Sequence, residues 1–198
     1  MSSYRKRGSL RRIVDTRPVK ERFLIVCEGE KTESNYFRAF RVPMDVKVSV
    51  LGLGEDPLTL VKSAAKYNEQ NSYDQVWCVF DRDSWPPDKF GNAINSAIAK
   101  GFRVAYSNEA FELWYVLHFE FLNTGIPRED YIEKMTHHLA KPYRKNSEDI
   151  YDELLSRQGT AIRNAKKLLA SYNSVKPVHD NPSTTVYELV ESLNNFLP

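Results

Sequence analysis

The chain has 198 residues, of which 41% are hydrophobic and 27% are charged. This composition can build a core, which excludes a globally disordered chain. Its apolar runs, such as 23–27 and 76–80, are far shorter than the roughly 20 residues of a membrane span. The first residues do not resemble a secretory signal, and Cys27 and Cys78 lie in apolar runs. We therefore expect a cytoplasmic protein without a disulfide framework, a zinc site or a membrane partner.

Basic residues are concentrated at the N-terminus. Residues 1–22 carry eight basic and two acidic side chains, whereas the remaining chain carries 20 basic and 24 acidic ones. Such an arm is typical of proteins that meet a polyanion, because Lys and Arg displace counterions from phosphates. The alternative is a solvated tail without a partner. The residues that we expect to contact nucleic acid are Arg5, Lys6, Arg7, Arg11 and Arg12.

Strands and helices then alternate along the chain. Short apolar runs predict strands at 23–27, 46–51, 75–80 and 102–106, and helices are expected between them. This order predicts an α/β fold with an open, mainly parallel four-stranded sheet flanked by helices. Beyond residue 109 only helical patterns follow. We predict a flexible basic arm over 1–20, an α/β core over 21–108 and an all-helical extension over 109–198. The extension is expected to pack on the core, with a separate small subdomain as the alternative.

Acidic residues follow two of the predicted strands. Glu28 follows the first strand, and Asp81 and Asp83 follow the third. Ligands of open parallel sheets bind beyond the carboxyl ends of the strands. In extended backbone, the side chains of Asp81 and Asp83 would project to the same side of the strand. If the first and third strands are neighbours, Glu28 would face this pair across one strand spacing.

Three converging carboxylates without matching basic residues repel one another, and a divalent cation removes that penalty. Mg²⁺ prefers carboxylate, water and phosphate oxygens. The sequence therefore predicts a Mg²⁺ (or Mn²⁺) site at Glu28, Asp81 and Asp83. The alternative is structural, because Asp is common in turns and an early acid favours a helix N-terminus.

Two stretches resemble a known fold. Residues 24–33 (LIVCEGEKTE) and 79–83 (VFDRD) resemble the Toprim fold of topoisomerases, primases and small nucleases. The whole chain is similar to the RloB family, whose members are Toprim-like proteins often found near restriction–modification and other phage-defence loci. The likeness extends over roughly 20–195 and includes 107–114, 117–119 and 181–184. The departure is Glu109, where such families are expected to have proline.

The resemblance implies a nuclease with Glu28 as the general base or a metal-bound acid. Asp81 and Asp83 would then be metal ligands. The chain has little room for the additional modules of a topoisomerase or a primase. Within the Toprim class, the resemblance implies a phosphodiesterase acting in phage defence or in DNA or RNA processing, with a small RNA-maturing nuclease as an alternative. Whether the substrate is DNA or RNA stays open.

Four further residues are auxiliary candidates. Lys31 would contact a phosphate or lie exposed, and Glu33 would position water at the metal or simply favour the helix dipole. Glu112 is an acid in an apolar segment and therefore needs a partner. It is either a structural anchor or an additional site acid. His118 is a proton-transfer or phosphate contact, or else a satisfied core histidine.

Three basic residues on one predicted helix could follow a nucleic-acid backbone, or they form a solvated face. They are Arg163, Lys166 and Lys167. Trp85 could stack on a base or pack in the fold.

A second class of function is a non-catalytic nucleic-acid-binding or effector subunit. No phosphate-binding loop with its Gly-Lys-Ser/Thr signature occurs in the sequence, so any NTPase must be a partner. The expected partners of such a subunit are a separately encoded ATPase or a restriction–modification component.

Overall fold

Residues 19–83 and 85–197 are described by a computed structural model. The strands are β1 (Glu21–Cys27), β2 (Val46–Gly52), β3 (Gln75–Asp81), β4 (Arg103–Asn108) and β5 (Ser183–Thr184). The helices are α1 (Thr32–Arg38), α2 (Pro57–Asn71), α3 (Pro87–Ala99), α4 (Glu112–Val116), α5 (Arg128–Leu139), α6 (Ile150–Leu155), α7 (Gln158–Ala170) and α8 (Val186–Asn194). The predicted α/β class and the four long strands are confirmed.

The strand order is β2-β1-β3-β4-β5, with β1 to β4 parallel and β5 antiparallel. The connection after β1 leads to β2 on one side, whereas the connection after β3 leads to β4 on the other side. A topological switch point therefore lies between β1 and β3, where open sheets place their ligands. Cys27 pairs with Val79, so the residues after β1 lie beside the end of β3.

The fifth strand differs from the prediction of four strands and an all-helical extension. Ser183 and Thr184, which fall within that extension, pair with Asn108 and Ser107 of β4. The last helix begins at Val186. A strand of two residues is too short to show a period-2 pattern.

Alternate residues of the central strands face two apolar cores. Phe23, Ile25 and Trp77 face a core built largely with α1, α4 and the C-terminal helices. Leu24 and Cys78 face a smaller core with α2 and α3. The helical half thus covers one face of the sheet. Asp81 has the same parity along β3 as Trp77, so its side chain is directed to the face that α4 covers.

Two helix starts show how the local sequence is used. The helix α3 begins at Pro87, where proline is favoured because it has no N–H to satisfy. Thr32 and Ser34 lie in the first turn of α1, and their hydroxyls donate to the carbonyls of Lys145 and Glu30.

The boundary at 108/109 stays a prediction, although β5 joins the sheet from beyond it. The five arm residues, Arg5, Lys6, Arg7, Arg11 and Arg12, lie outside the described residues. None of the helices within 19–83 and 85–197 has both the length and the apolar character to cross a membrane.

Candidate functional site

Glu28 and Asp81 lie side by side at the switch point. The backbone N–H of Asp81 donates to Glu28 Oε2 at 3.2 Å, and that of Glu28 donates to the Val79 carbonyl at 2.8 Å. The two strands are neighbours in the sheet, which is the condition for their end residues to converge. Asp81 is buried, and its Oδ2 accepts the N–H of Phe111 at 3.0 Å. The carboxylate of Asp81 is therefore held in one orientation.

Asp83 approaches Asp81 by a turn and not by strand alternation. The strand β3 ends at Asp81, and Asp83 has a positive φ of 36°, in the left-handed region that Asp tolerates better than most residues. Its N–H donates to the Glu109 carbonyl at 2.9 Å. The expectation of extended backbone was wrong, yet both carboxylates meet the same partner, Arg128.

Glu33 joins the site from the first turn of α1. Its side chain is buried, and its carboxylate lies against the backbone of Gly29. A Cβ atom at residue 29 would overlap Glu33 Oε2, so any side chain there would displace the Glu33 carboxylate. A Cβ at Gly52 would also come within 2.7 Å of the Gly29 carbonyl oxygen. The two glycines bring the loop after β1 close to β2.

Glu112 is the first residue of α4 and is also buried. Its Oε1 accepts the Tyr143 hydroxyl at 3.3 Å and lies 3.8 Å from Lys145 Nζ. Phe111, its neighbour, is the residue whose N–H binds Asp81. One carboxylate oxygen of Glu112 therefore has partners, and the residue also adjoins the strand-end acids.

Arg128 is a site residue that the sequence-based reasoning missed. Its guanidinium lies 2.6 Å from Asp83 Oδ2 and 3.7 Å from Asp81 Oδ2. The premise that the strand-end acids lack a basic partner was wrong, because residues distant in sequence were not considered. A weak signal existed: Arg128 begins α5, where the helix dipole disfavours a cation.

The electrostatics of the site show strong coupling between the acids. Burial raises the pKa of Asp81 well above its ordinary range, and the charges of Glu33 and Glu112 add to this rise. Burial, with the charges of Glu112 and Glu28, raises the pKa of Glu33 to about 7. The pKa of Glu28 is also raised by burial, although the Trp85 hydrogen bond opposes the rise. These acids form a cluster that consists of Glu28, Glu33, Asp81, Asp83 and Glu112. The single positive charge of Arg128 does not neutralise it.

Three carboxylate oxygens in the cluster are buried without a hydrogen-bond partner. They are Glu33 Oε2, Asp81 Oδ1 and Glu112 Oε2. A buried anionic oxygen is costly unless it is paired, and Mg²⁺ binds such oxygens well. In chemical type, these oxygens are therefore suitable ligands for a hard divalent cation. Among the described residues, no group of three or more His, Cys, Asp or Glu side chains is arranged so that it could hold a metal ion as it stands.

Trp85 orients Glu28. Its indole Nε1 donates to Glu28 Oε1 at 2.7 Å, so both oxygens of Glu28 accept a hydrogen bond. Lys89 Nζ lies 4.3 Å from the centre of the Trp85 ring. The hydrogen bond to Glu28 is a third role for Trp85, beside the stacking on a base and the packing in the fold that the sequence suggested.

The two other auxiliary candidates are Lys31 and His118. Lys31 is exposed next to α1. His118 is buried, its Nδ1 lies 2.8 Å from the Trp114 carbonyl oxygen, and its ring packs edge-on against the Trp114 ring. Burial lowers the pKa of His118 to about 4, so the ring is neutral at pH 7. The functional role of both residues stays a prediction.

The basic residues of α7 are exposed but partly engaged. Lys166 Nζ lies 2.6 Å from Glu191 Oε1, and Arg163 donates to Thr160 Oγ1 at 2.9 Å. Lys167 Nζ lies 4.2 Å from the centre of the Phe121 ring. Their role in nucleic-acid binding stays a prediction.

Comparison with known proteins supports one assignment. The model of the family described as RloB-like protein matches residues 23–193, which is most of the chain. No curated protein and no solved structure matches the chain. The matched range contains all five acids of the cluster together with Arg128. The chain belongs to the RloB-like family.

Proposed function

We propose that the chain is a divalent-metal-dependent nucleic-acid phosphodiesterase of the Toprim class, acting in phage defence or in DNA or RNA processing. The observation that carries the proposal is the set of three unpartnered carboxylate oxygens at the switch point of the sheet, on Glu33, Asp81 and Glu112. Structural acids would be expected to have partners for these oxygens.

Asp81, Glu33 and Glu112 would hold Mg²⁺ or Mn²⁺ through these oxygens. Asp83 is the further ligand expected from the sequence, once its carboxylate is released from Arg128. The ion would supply positive charge to the oxygens of the phosphate at which cleavage occurs. Asp81 is central to this assignment because it belongs both to the set expected from the sequence and to the set of unpartnered oxygens.

Glu28 is the proposed general base or additional metal-binding acid. Trp85 and the N–H of Asp81 fix the orientation of its carboxylate. Burial raises its pKa towards the operating range of a base at neutral pH. A proton taken from water would reside on Glu28.

The test is cleavage of end-labelled single- and double-stranded DNA and RNA with Mg²⁺, Mn²⁺ or EDTA. The proposal predicts products with the metals and none with EDTA. A folded protein that yields no product from any of these substrates would contradict it.

The second candidate is a nucleic-acid-binding or effector subunit that works with a separate ATPase or restriction–modification component. The ion pairs of Arg128 with Asp81 and Asp83 favour it, because they stabilise two of the acids without a metal. This candidate predicts metal-independent binding of nucleic acid without turnover in the same assays.

A further inference from the structure

Two cationic side chains from the helical half contact the acid cluster, which consists of Glu28, Glu33, Asp81, Asp83 and Glu112. Arg128 pairs with Asp83 and Asp81, and Lys145 Nζ lies 3.8 Å from Glu112 Oε1. Neither cation belongs to the strand-end motifs.

The charge of the cluster favours an exchange of partners. With all side chains ionised, five carboxylates and two cations carry a formal charge of −3. Once a divalent cation shares the carboxylates, their attraction for Arg128 and Lys145 weakens, because the charge of each carboxylate is partly neutralised. The two cations then become available to an anion that arrives at the same place.

Arg128 has the geometry for a phosphate. A guanidinium presents a planar fork of N–H donors that matches two phosphate oxygens. Its Nε is buried without a hydrogen-bond partner, so one donor of that fork is unused. Burial would lower the pKa of Arg128, but Asp81, Asp83 and Glu112 raise it, so the side chain stays charged.

Lys145 is held beside the cluster by its backbone. The Thr32 hydroxyl donates to the Lys145 carbonyl at 2.9 Å, and Asn35 Nδ2 donates to that of Asn146 at 3.5 Å. The Lys145 side chain is 42% exposed, so a ligand can reach its ammonium group. The loop between α5 and α6 therefore presents a charge at the edge of the acid cluster.

We propose that Arg128 and Lys145 bind the phosphodiester group of the nucleic-acid substrate when a divalent cation occupies the acid cluster. The inference rests on the proposed function for its substrate class. The two residues position the phosphate between the metal-binding acids and the helical half. A nucleic acid thus binds more tightly with metal than without it.

The experiment measures binding of short fluorescein-labelled DNA and RNA oligonucleotides, single-stranded and duplex, in Ca²⁺ or EDTA over a range of salt concentrations. The variants are Arg128→Gln, Arg128→Lys and Lys145→Gln. Arg41→Gln and Lys141→Gln are matched controls, because both residues are exposed and form ion pairs, with Asp152 and Glu153. Thermal unfolding checks that each variant is folded.

Losing one phosphate contact should reduce the slope of log K against log salt by about 0.7 for a single strand, which corresponds to about fivefold weaker binding at 0.1 M salt. We expect this loss in Ca²⁺ for Arg128→Gln and Lys145→Gln but not for the controls. Arg128→Lys should bind better than Arg128→Gln. If Arg128→Gln does not fold, Lys145→Gln and Arg128→Lys still decide the matter, since the latter keeps the charge but loses the fork.

Wild-type affinity and salt slope in both Arg128→Lys and Lys145→Gln would overturn the inference even if the protein cleaves nucleic acid. If no substrate is cleaved but binding falls in the two variants, the proposed function fails and the phosphate contact stands. The two failures are therefore distinguishable.

Discussion

The carboxylate of Glu33 occupies the space that a side chain at Gly29 would fill. This contact joins the loop after β1 to the first turn of α1 and directs Glu33 into the acid cluster. The central residue of the Glu28-Gly29-Glu30 sequence thus serves the site by having no side chain.

Gly29→Ala should therefore displace the Glu33 carboxylate. We expect Mg²⁺ affinity to fall by about tenfold, as is typical when a group that orients a ligand is lost. Isothermal titration of Mg²⁺ measures this change. Gly159→Ala is the control, because a Cβ there would make only an ordinary 3.6 Å contact with Arg163. Equal Mg²⁺ affinities in the two variants would argue against a role for Glu33 in metal binding.

Stability should depend on pH through Glu33. Because its pKa is raised from 4.5 to about 7, the folded chain binds this proton more tightly than the unfolded chain. Its contribution to the free energy of unfolding is complete below pH 4.5 and is lost as the pH rises through about 7. Glu33→Gln cannot lose a proton, so the variant should be more stable than the wild type at high pH, by up to about 3 kcal/mol without metal.

Urea unfolding on both sides of this pH range, with and without Mg²⁺, measures the difference. Mg²⁺ should reduce it, because the ion stabilises the ionised wild type. Glu69→Gln, at an exposed position of α2, is the control and should show no such pattern. A pH-independent difference between Glu33→Gln and the wild type would contradict the assigned pKa.

Trp85→Phe removes the indole N–H but keeps an aromatic ring. The lost hydrogen bond leaves the Glu28 carboxylate less stabilised and raises its pKa further. The acidic limb of the pH–rate profile should move to higher pH, and the rate at neutral pH should fall by about tenfold, the equivalent of one hydrogen bond to a charged group. Lys89→Gln, which keeps the N–H, should leave the limb in place. An unmoved limb in Trp85→Phe would mean that Glu28 is not the base.

The basic arm and α7 can be compared by their salt dependence. Replacing Arg5, Lys6, Arg7, Arg11 and Arg12 by Gln should reduce the slope of log K against log salt by up to about 3.5 for a single strand. Replacing Arg163, Lys166 and Lys167 should have a smaller effect, because Lys166 is already paired with Glu191. Filter binding over a salt series gives both slopes. An unchanged slope in the arm variant would assign the arm no phosphate contact.

Strands β1 to β4 could be predicted because each is an apolar run bounded by polar residues. The same pattern located Glu28 and Asp81, since strand ends follow directly from local sequence. The pairing of β1 with β3 in the structure places the two residues beside each other. The two-residue strand β5 could not be recognised, because its pairing with β4 depends on a contact 75 residues distant in sequence.

The remaining site residues depend on tertiary packing. Glu33 and Glu112 were candidates whose distance from Asp81 could not be derived from the sequence. Only the packing of α1 and α4 on one face of the sheet brings them to Asp81. Arg128 gives only a weak signal as a cation at a helix start, and its position at the cluster results from the docking of α5. Lys145 is in a loop whose place is fixed by Thr32. None of these contacts leaves a periodic signal in the sequence.

The central claim is that the acid cluster catalyses cleavage, and Asp81→Asn tests it most directly. The measurement is the rate of Mg²⁺-dependent cleavage of the labelled nucleic acid by folded Asp81→Asn, with Asp152→Asn, at an exposed ion pair, as the matched control. We predict loss of cleavage in Asp81→Asn and a wild-type rate in Asp152→Asn. Cleavage at the wild-type rate by Asp81→Asn would contradict the account.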